Sequence, residues 1–171
     1  GFPTPNANLT TYGTSNPPYI LGVHTSVSYK GLNLSVLAEG RFGAVIYNSI
    51  GNALDFTGVS WYSAQSGRLP FVIPNSSYDD GTGKYVANTD VVVKNGNNDF
   101  WASTWNNVGS TYMNSADFWK IREVSLSYTL PKNIFGNNSF IKQLTVAVVG
   151  RNLFAFRAKD NVWTDPEFAN T

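Results

Sequence analysis

The sequence contains no cysteine. That absence removes disulfide frameworks, thiol catalysis and cysteine-ligated metals together, and it is compatible with either a Gram-negative envelope or a cytosol. Charge is also scarce: Asp, Glu, Lys and Arg make up 13% of the residues, against about 25% in soluble domains. A net charge of +1, with no cluster of Lys and Arg, leaves no electrostatic footprint for nucleic acid. No run approaches the roughly 18 apolar residues of a spanning helix. No amphipathic helix of useful length, fixed-period repeat or low-complexity tract stands out. The opening GFPTPNANLT is polar and proline-broken rather than a signal peptide, and its first Gly in place of Met reads as the edge of an excised piece.

What the chain has instead is 15% aromatic residues and polarity supplied mostly by Asn, Ser, Thr and Gly. Its 171 residues suit one domain. Residues 1–18 hold four prolines and read as loop. In YILGVHTSVSYK, Tyr19, Leu21, Val23, Thr25, Val27 and Tyr29 alternate with Gly22, His24, Ser26 and Ser28, the two-residue period of a strand. In LNLSVLAEGRFG, Leu32, Leu34, Val36, Ala38, Gly40 and Phe42 alternate with Asn33, Ser35, Leu37, Glu39 and Arg41. A two-residue turn at Lys30-Gly31 sets Tyr29 opposite Leu32, Val27 opposite Leu34, Thr25 opposite Val36 and Val23 opposite Ala38. The apolar faces coincide, so residues 19–46 read as a hairpin.

A second hairpin is expected over 117–157. Its first strand lies in FWKIREVSLSYTLPKNIF, where Val124, Leu126, Tyr128 and Leu130 alternate with Glu123, Ser125, Ser127 and Thr129 before Pro131 stops the pattern. Its second lies in FIKQLTVAVVGRNLFAF, with Leu144, Val146, Val148, Gly150, Phe154 and Phe156 on one parity, reached through the turn PKNIFGNNS. Between the hairpins, residues 47–116 are too many for a structureless loop, so they form a functional surface loop or hold strands of their own, such as VVVK at 91–94. Residues 158–171 read as loop.

Alternation alone fits two folds. A soluble antiparallel sandwich turns its apolar face inward; a transmembrane barrel turns it toward lipid. The order short turn, very long loop, short turn tips the reading toward a barrel, whose periplasmic turns are short and extracellular loops long. Lys120 and Arg122 share parity with the apolar set, and on the barrel reading they mark an outer rim at the level of lipid phosphates. Tyr29, Phe42, Tyr128, Phe154 and Phe156 lie where girdle aromatics belong.

These residues also carry a resemblance. Ser115, Phe118, Ile121, Arg122, Val124, Leu126, Tyr128, Leu130 and Pro131, then Asn152-Leu153 and Asp165-Pro166-Glu167, resemble the C-terminal part of the SusC/RagA family of TonB-dependent outer-membrane transporters of Bacteroidetes. NPPYILGVHTSVSYKGLNLSVLAEGRFG resembles an upstream hairpin of that family. The resemblance implies an all-β fold, a partial section of a plugged barrel of roughly 22 strands, with residues 47–116 as one long extracellular loop. It implies import of oligosaccharides or peptides across the cell outer membrane, with TonB and a SusD-like lipoprotein as partners and outer-membrane lipid around the strands. The plug and the TonB-contacting segment belong to the family's N-terminal part, and the chain stops at ANT before a final aromatic-ended strand, so this piece is not expected to transport alone.

No enzymatic constellation emerges. His24 is the single histidine and sits on a polar strand face, with no Ser and acid partners that spacing can assign. DDGTGK at 79–84 lacks the carboxylate spacing of a calcium loop and the spacer of a phosphate loop, and reads as a glycine-rich turn. Asp165-Pro-Glu reads as a turn. No cofactor or metal is expected. The functional candidates are aromatic: Trp61, Tyr62, Trp101 and Trp105, with Tyr78, Tyr85 and Phe100, placed to stack on a ligand, to anchor a lid, or to form the loop's own small core. Two other functions stay open, a soluble β-sandwich carbohydrate-binding module and a surface adhesin domain.

Overall fold

The computed structural model describes residues 2–94, 99–135 and 140–168. Gly1, part of the PKNIFGNNS turn (136–139) and the closing ANT (169–171) lie outside the described residues. The chain divides into two compact units, one of Thr14–Val45 and Ser115–Asn161, the other of Gly1–Gly13, Ile46–Asn114 and Val162–Thr171.

The first unit is one antiparallel sheet in the order β1 (Tyr19–Tyr29), β2 (Leu32–Phe42), β3 (Phe118–Thr129), β4 (Thr145–Arg157). The β1–β2 register is the expected one, with Tyr29 facing Leu32, Val27 facing Leu34 and Val23 facing Ala38. Lys30 and Gly31 both take positive φ, 47° and 87°, the geometry of a type I′ turn that matches strand twist. A side chain at position 31 would also strike the Thr129 carbonyl oxygen at 2.6 Å.

Across the sheet the apolar residues line up in rows. Tyr29, Leu32, Tyr128 and Val146 form one; Val27, Leu34, Leu126 and Val148 the next; Thr25, Val36, Val124 and Gly150 the third. Beyond these come Val23, Ala38, Ile121 and Phe154, then Leu21, Gly40, Trp119 and Phe156. Gly40 is where a backbone must pass beneath two rings: a Cβ there would meet Phe42 at 2.7 Å and Trp119 at 2.9 Å. Those rings pack edge to face at 5.6 Å. On this face Leu21, Val27, Leu34, Leu126, Val148 and Phe156 are exposed.

The opposite face carries polar ladders. His24 Nε2 lies 3.0 Å from Ser35 Oγ, Ser28 Oγ donates to Asn33 Oδ1 at 2.8 Å, Thr129 and Thr145 share a hydroxyl bond of 2.9 Å, and Arg151 Nε donates to Glu123 Oε2 at 3.0 Å. Lys120 belongs here too, which corrects the rim expectation. Between Glu123 and Ile121 the β3 strand gains one residue on β2, whose partners Leu37 and Ala38 are adjacent. This β-bulge at Arg122 reverses the parity above it. Ile121 and Trp119 therefore continue the apolar face, while Lys120 pairs with Glu39 and Phe118 with Arg41 on the polar one. Strand β4 adds a residue again between Arg151 and Phe154, where Asn152 takes a φ of 51°. Residue counting keeps Phe154 and Phe156 on the apolar side because the two extra residues cancel.

The second unit is built from short pieces. An eight-residue helix, α1 (Ser49–Phe56), follows Asn48, and a single helical turn, α2 (Trp61–Ala64), is capped by Ser60 Oγ accepting from the Ser63 N–H at 3.0 Å. Helix α1 was not visible as a helical period, because eight residues give barely two turns. Phe71–Val72 pairs with Val92–Val93, inside the VVVK stretch, and Ser77–Asp79 pairs with Tyr85–Ala87. A π-helical turn spans Asp99–Trp105. DDGTGK is the turn of the second pair: Asp79 Oδ1 accepts from Gly81 and Gly83 N–H, and Asp80 Oδ1 from the N–H and hydroxyl of Thr82. The Thr82 hydroxyl bond, then its N–H bond, holds the Asp80 carboxyl below the usual carboxylate range. Asp165 likewise closes its own turn, accepting from the Glu167 N–H at 3.0 Å.

Candidate functional site

In the second unit the buried core is Val93, Phe100 and Trp101, with Phe71, Ile73 and Trp105 packed around it. The π-helical turn explains the convergence: its wide pitch brings Phe100, Trp101 and Trp105 to one side, their ring centroids 5.1 to 5.9 Å apart. Phe71 stacks against Trp101 at 6.4 Å with the ring planes 18° apart. Offset and edge-on aromatic pairs of this kind contribute about 0.5–1.5 kcal/mol each beyond their burial.

One side of this cluster opens into a cleft of about 400 Å³. Trp101, Trp105 and Tyr62 line it, joined by Gln65, Ser66 and Pro74. Trp61 does not line it; it stands 72% exposed and packs edge-on against Tyr62 at 5.6 Å. Tyr62 also leans on Trp163 at 5.7 Å. The structure thus brings three of the four aromatic candidates to one cavity and ties the fourth to it through a ring contact. Gln65 and Ser66 have no signal in sequence, being ordinary polar residues of a turn. Trp163 was out of reach for another reason: it follows the last strand and reaches Tyr62 only through the fold.

Three polar atoms of the lining residues are buried without a hydrogen-bond partner, namely Trp101 Nε1, Trp105 Nε1 and Ser66 Oγ. Leaving a buried donor unpaired costs roughly 1–3 kcal/mol. Elsewhere in the unit, Tyr112 is fully buried and donates its hydroxyl to Asp55 Oδ2 at 2.9 Å. Burial, reinforced by that carboxylate, pushes the Tyr112 phenol well above its ordinary range. Asn48, also fully buried, donates to Asn114 Oδ1 at 2.5 Å and accepts from Thr164 Oγ1 at 3.3 Å.

The sheet offers a second cluster on its polar face. Phe118, 3% exposed, is ringed by Arg41, Lys120 and Arg122 at 5.3 to 5.9 Å from its centroid. Glu39 bridges the two arginines, at 2.5 Å from Arg41 Nε and 3.1 Å from Arg122 Nε. This arrangement holds charge on one side of the sheet. His24 stays apart from it, bonded to Ser35. Among the described residues no group of three or more His, Asp or Glu could hold a metal.

The fold is an all-β antiparallel meander of hairpins, the kind of section from which a large β-barrel is built. No protein-family model matches the chain, and no curated protein does. Solved structures share the fold. The RagAB peptide transporter matches with a TM-score of 0.61 and 19% identity over 92% of this chain. The RagAB peptide importer matches in its closed-closed state with a TM-score of 0.56 and 20% identity over 92% of this chain. In its open-open state the values are 0.56, 18% and 91%. This chain spans 15% of the length of each of those chains.

Proposed function

We propose that the chain is a stretch of barrel wall from a SusC/RagA-type, TonB-dependent transporter of the outer membrane, and that the whole protein imports oligosaccharides or peptides beneath a SusD-like lipoprotein. The reading rests above all on the uncovered apolar face of the sheet. Contiguous apolar surface of that size on a water-soluble protein marks an interaction site, and rows running unbroken across four strands suit lipid. Aromatics sit toward both ends of the strands, Tyr29 and Tyr128 in the first row, Trp119 and Phe156 in the last and Phe42 just beyond it. Leu32 and Gly40 are separated by about 27 Å of strand at roughly 3.4 Å per residue, or about 20 Å of bilayer at a tilt near 40°. Among the described residues no helix is long and apolar enough to cross a membrane. That leaves the strands as the spanning elements of this reading.

On this reading Lys120, Arg122, Arg41 and Glu39 face the lumen, residues 47–116 form the extracellular loop, and Trp61, Tyr62, Trp101 and Trp105 contact ligand or lid. TonB engages the family's N-terminal part, and the chain has no catalytic role. A soluble carbohydrate-binding sandwich is disfavoured, since it needs a second layer over Leu34, Val36, Val124 and Leu126. The test is reconstitution of the chain into vesicles containing brominated lipid. Quenching of Trp119, identified by its loss in Trp119→Phe, with Trp101 unquenched, supports the reading. A chain monodisperse without detergent, with Leu34 and Leu126 protected from solvent, overturns it.

A further inference from the structure

We infer that the short-turn end of the sheet docks on anionic phospholipid headgroups through Lys30, Lys132 and Lys142. The inference deepens the barrel-wall reading and rests on it, adding which lipid the wall meets at that end. The charges of the sheet are sorted along its strands. From Tyr19 to Ala38 and from Val124 to Gly150 the chain contains no Asp or Glu, and its only Lys or Arg residues there are these three. The opposite end mixes both signs, with Glu39 bonded to Arg41 and Arg122, and Glu123 to Arg151.

Backbone bonds gather the three lysines at one end. The Thr129 N–H donates to the Gly31 carbonyl at 2.8 Å, and the Leu130 N–H to the Leu144 carbonyl at 2.9 Å. Lys30 directly precedes Gly31, Lys132 follows Leu130 by two residues, and Lys142 precedes Leu144 by two. All three are exposed. The Lys30 ammonium lies over the Tyr29 ring, 5.2 Å from its centroid, and Tyr29 belongs to the first apolar row, opposite Leu32. Positive charge thus stands at the margin of the face assigned to lipid, continuous with its aromatic border. Exposed Ile134, Phe140 and Ile141 lie between the other two lysines in sequence.

That combination suits the boundary of a phospholipid leaflet. A lysine lays its stem along apolar surface while its ammonium reaches the phosphates, and each lysine near an anionic surface strengthens association about fivefold at low salt. A carboxylate at this end would cancel part of that gain, and the sequence places none there. A zwitterionic headgroup carries its own cation beside the phosphate and gives little of it.

The test is the full chain reconstituted in phosphatidylcholine bilayers containing a trace of spin-labelled phosphatidylglycerol or spin-labelled phosphatidylcholine. The motionally restricted fraction of each label reports lipid at the protein boundary. Phosphatidylglycerol is expected to be enriched there about two- to fivefold over phosphatidylcholine, and the preference to fall as salt screens it. Combined Lys30→Asn, Lys132→Gln and Lys142→Gln should remove the preference, Asn suiting the φ of 47° at position 30. Arginine at the same three positions should restore it, and Lys84→Gln, in the other unit, should leave it intact. Equal enrichment of the two lipids, or a preference unchanged in the triple variant, overturns the inference. So does loss of the preference to inorganic phosphate at constant ionic strength, which would make free phosphate the ligand. Restricted lipid of both kinds without preference removes this docking surface and leaves the barrel wall standing. Binding to phosphatidylglycerol vesicles with Trp119 unquenched by brominated lipid keeps the basic end and removes the wall.

Discussion

In the sheet, Val27, Leu34, Leu126 and Val148 form a row left exposed, whereas in the unit that holds most of the segment between β2 and β3, Val93, Phe100 and Trp101 are buried against one another. The sheet satisfies its backbone through long ladders and orders its polar side chains on one face. Among its described residues the other unit has only short strands, and it closes its turns with side chains such as Asp79, Asp80 and Asn88, whose Oδ1 accepts from the Val91 N–H at 2.9 Å. On the proposed barrel-wall reading, the contrast corresponds to two solvents for one chain: lipid against one face of the sheet, and water around a small aromatic core.

The largest effect should come from that core. Trp101→Ala is expected to destabilise the second unit by about 3–5 kcal/mol, the usual range for a buried large aromatic. Hydrogen exchange at Val92–Val93 and in α1 measures it, and a cost under 1 kcal/mol would mean that the cluster is no core. Next, Leu126→Arg in lipid vesicles is expected to cost about 2–4 kcal/mol, while Ser125→Arg, on the opposite face, stays within about 0.5 kcal/mol. Urea unfolding in vesicles compares the two. Equal costs would erase the distinction between faces.

A third prediction concerns Tyr112. Its phenol is held protonated in the fold, whereas an unfolded tyrosine titrates near 10. The folded state therefore keeps a proton that the unfolded state releases. Its contribution is fully present below about pH 10 and is lost as pH rises further. Tyr112→Phe is expected to destabilise the unit by roughly 1–3 kcal/mol at neutral pH, by leaving the buried Asp55 carboxylate without its donor, and to flatten the alkaline loss. Thermal melts from pH 8 to 11.5 read both effects. The smallest change is expected on the polar face of the sheet: Arg151→Ala breaks an ion pair with Glu123 whose Arg side chain is 75% exposed, and exposed pairs contribute about 0–1 kcal/mol.

The register of β1 and β2 was legible because both strands alternate strictly and Lys30-Gly31 admits few turns. The faces of Lys120 and Arg122 were not, because a bulge is a property of the pairing between strands and leaves no mark on composition. The aromatic cleft was half legible. Trp101 and Trp105 declared themselves by residue type, but their meeting with Tyr62 and Ser66 depends on contacts between residues roughly 40 positions apart, which no local pattern encodes.

The bulge at Arg122 makes the strand behave like a wave with a half-period phase slip. Pairing Arg122 regularly would leave the composition of β3 unchanged, yet it would send Phe118 and Lys120 outward and Trp119 and Ile121 inward together. An extra residue in β3 is thus absorbed where it falls, β2 running on without one and β4 adding its own at Asn152-Leu153. The sequence beyond a bulge can then keep its two faces although its residue count says otherwise.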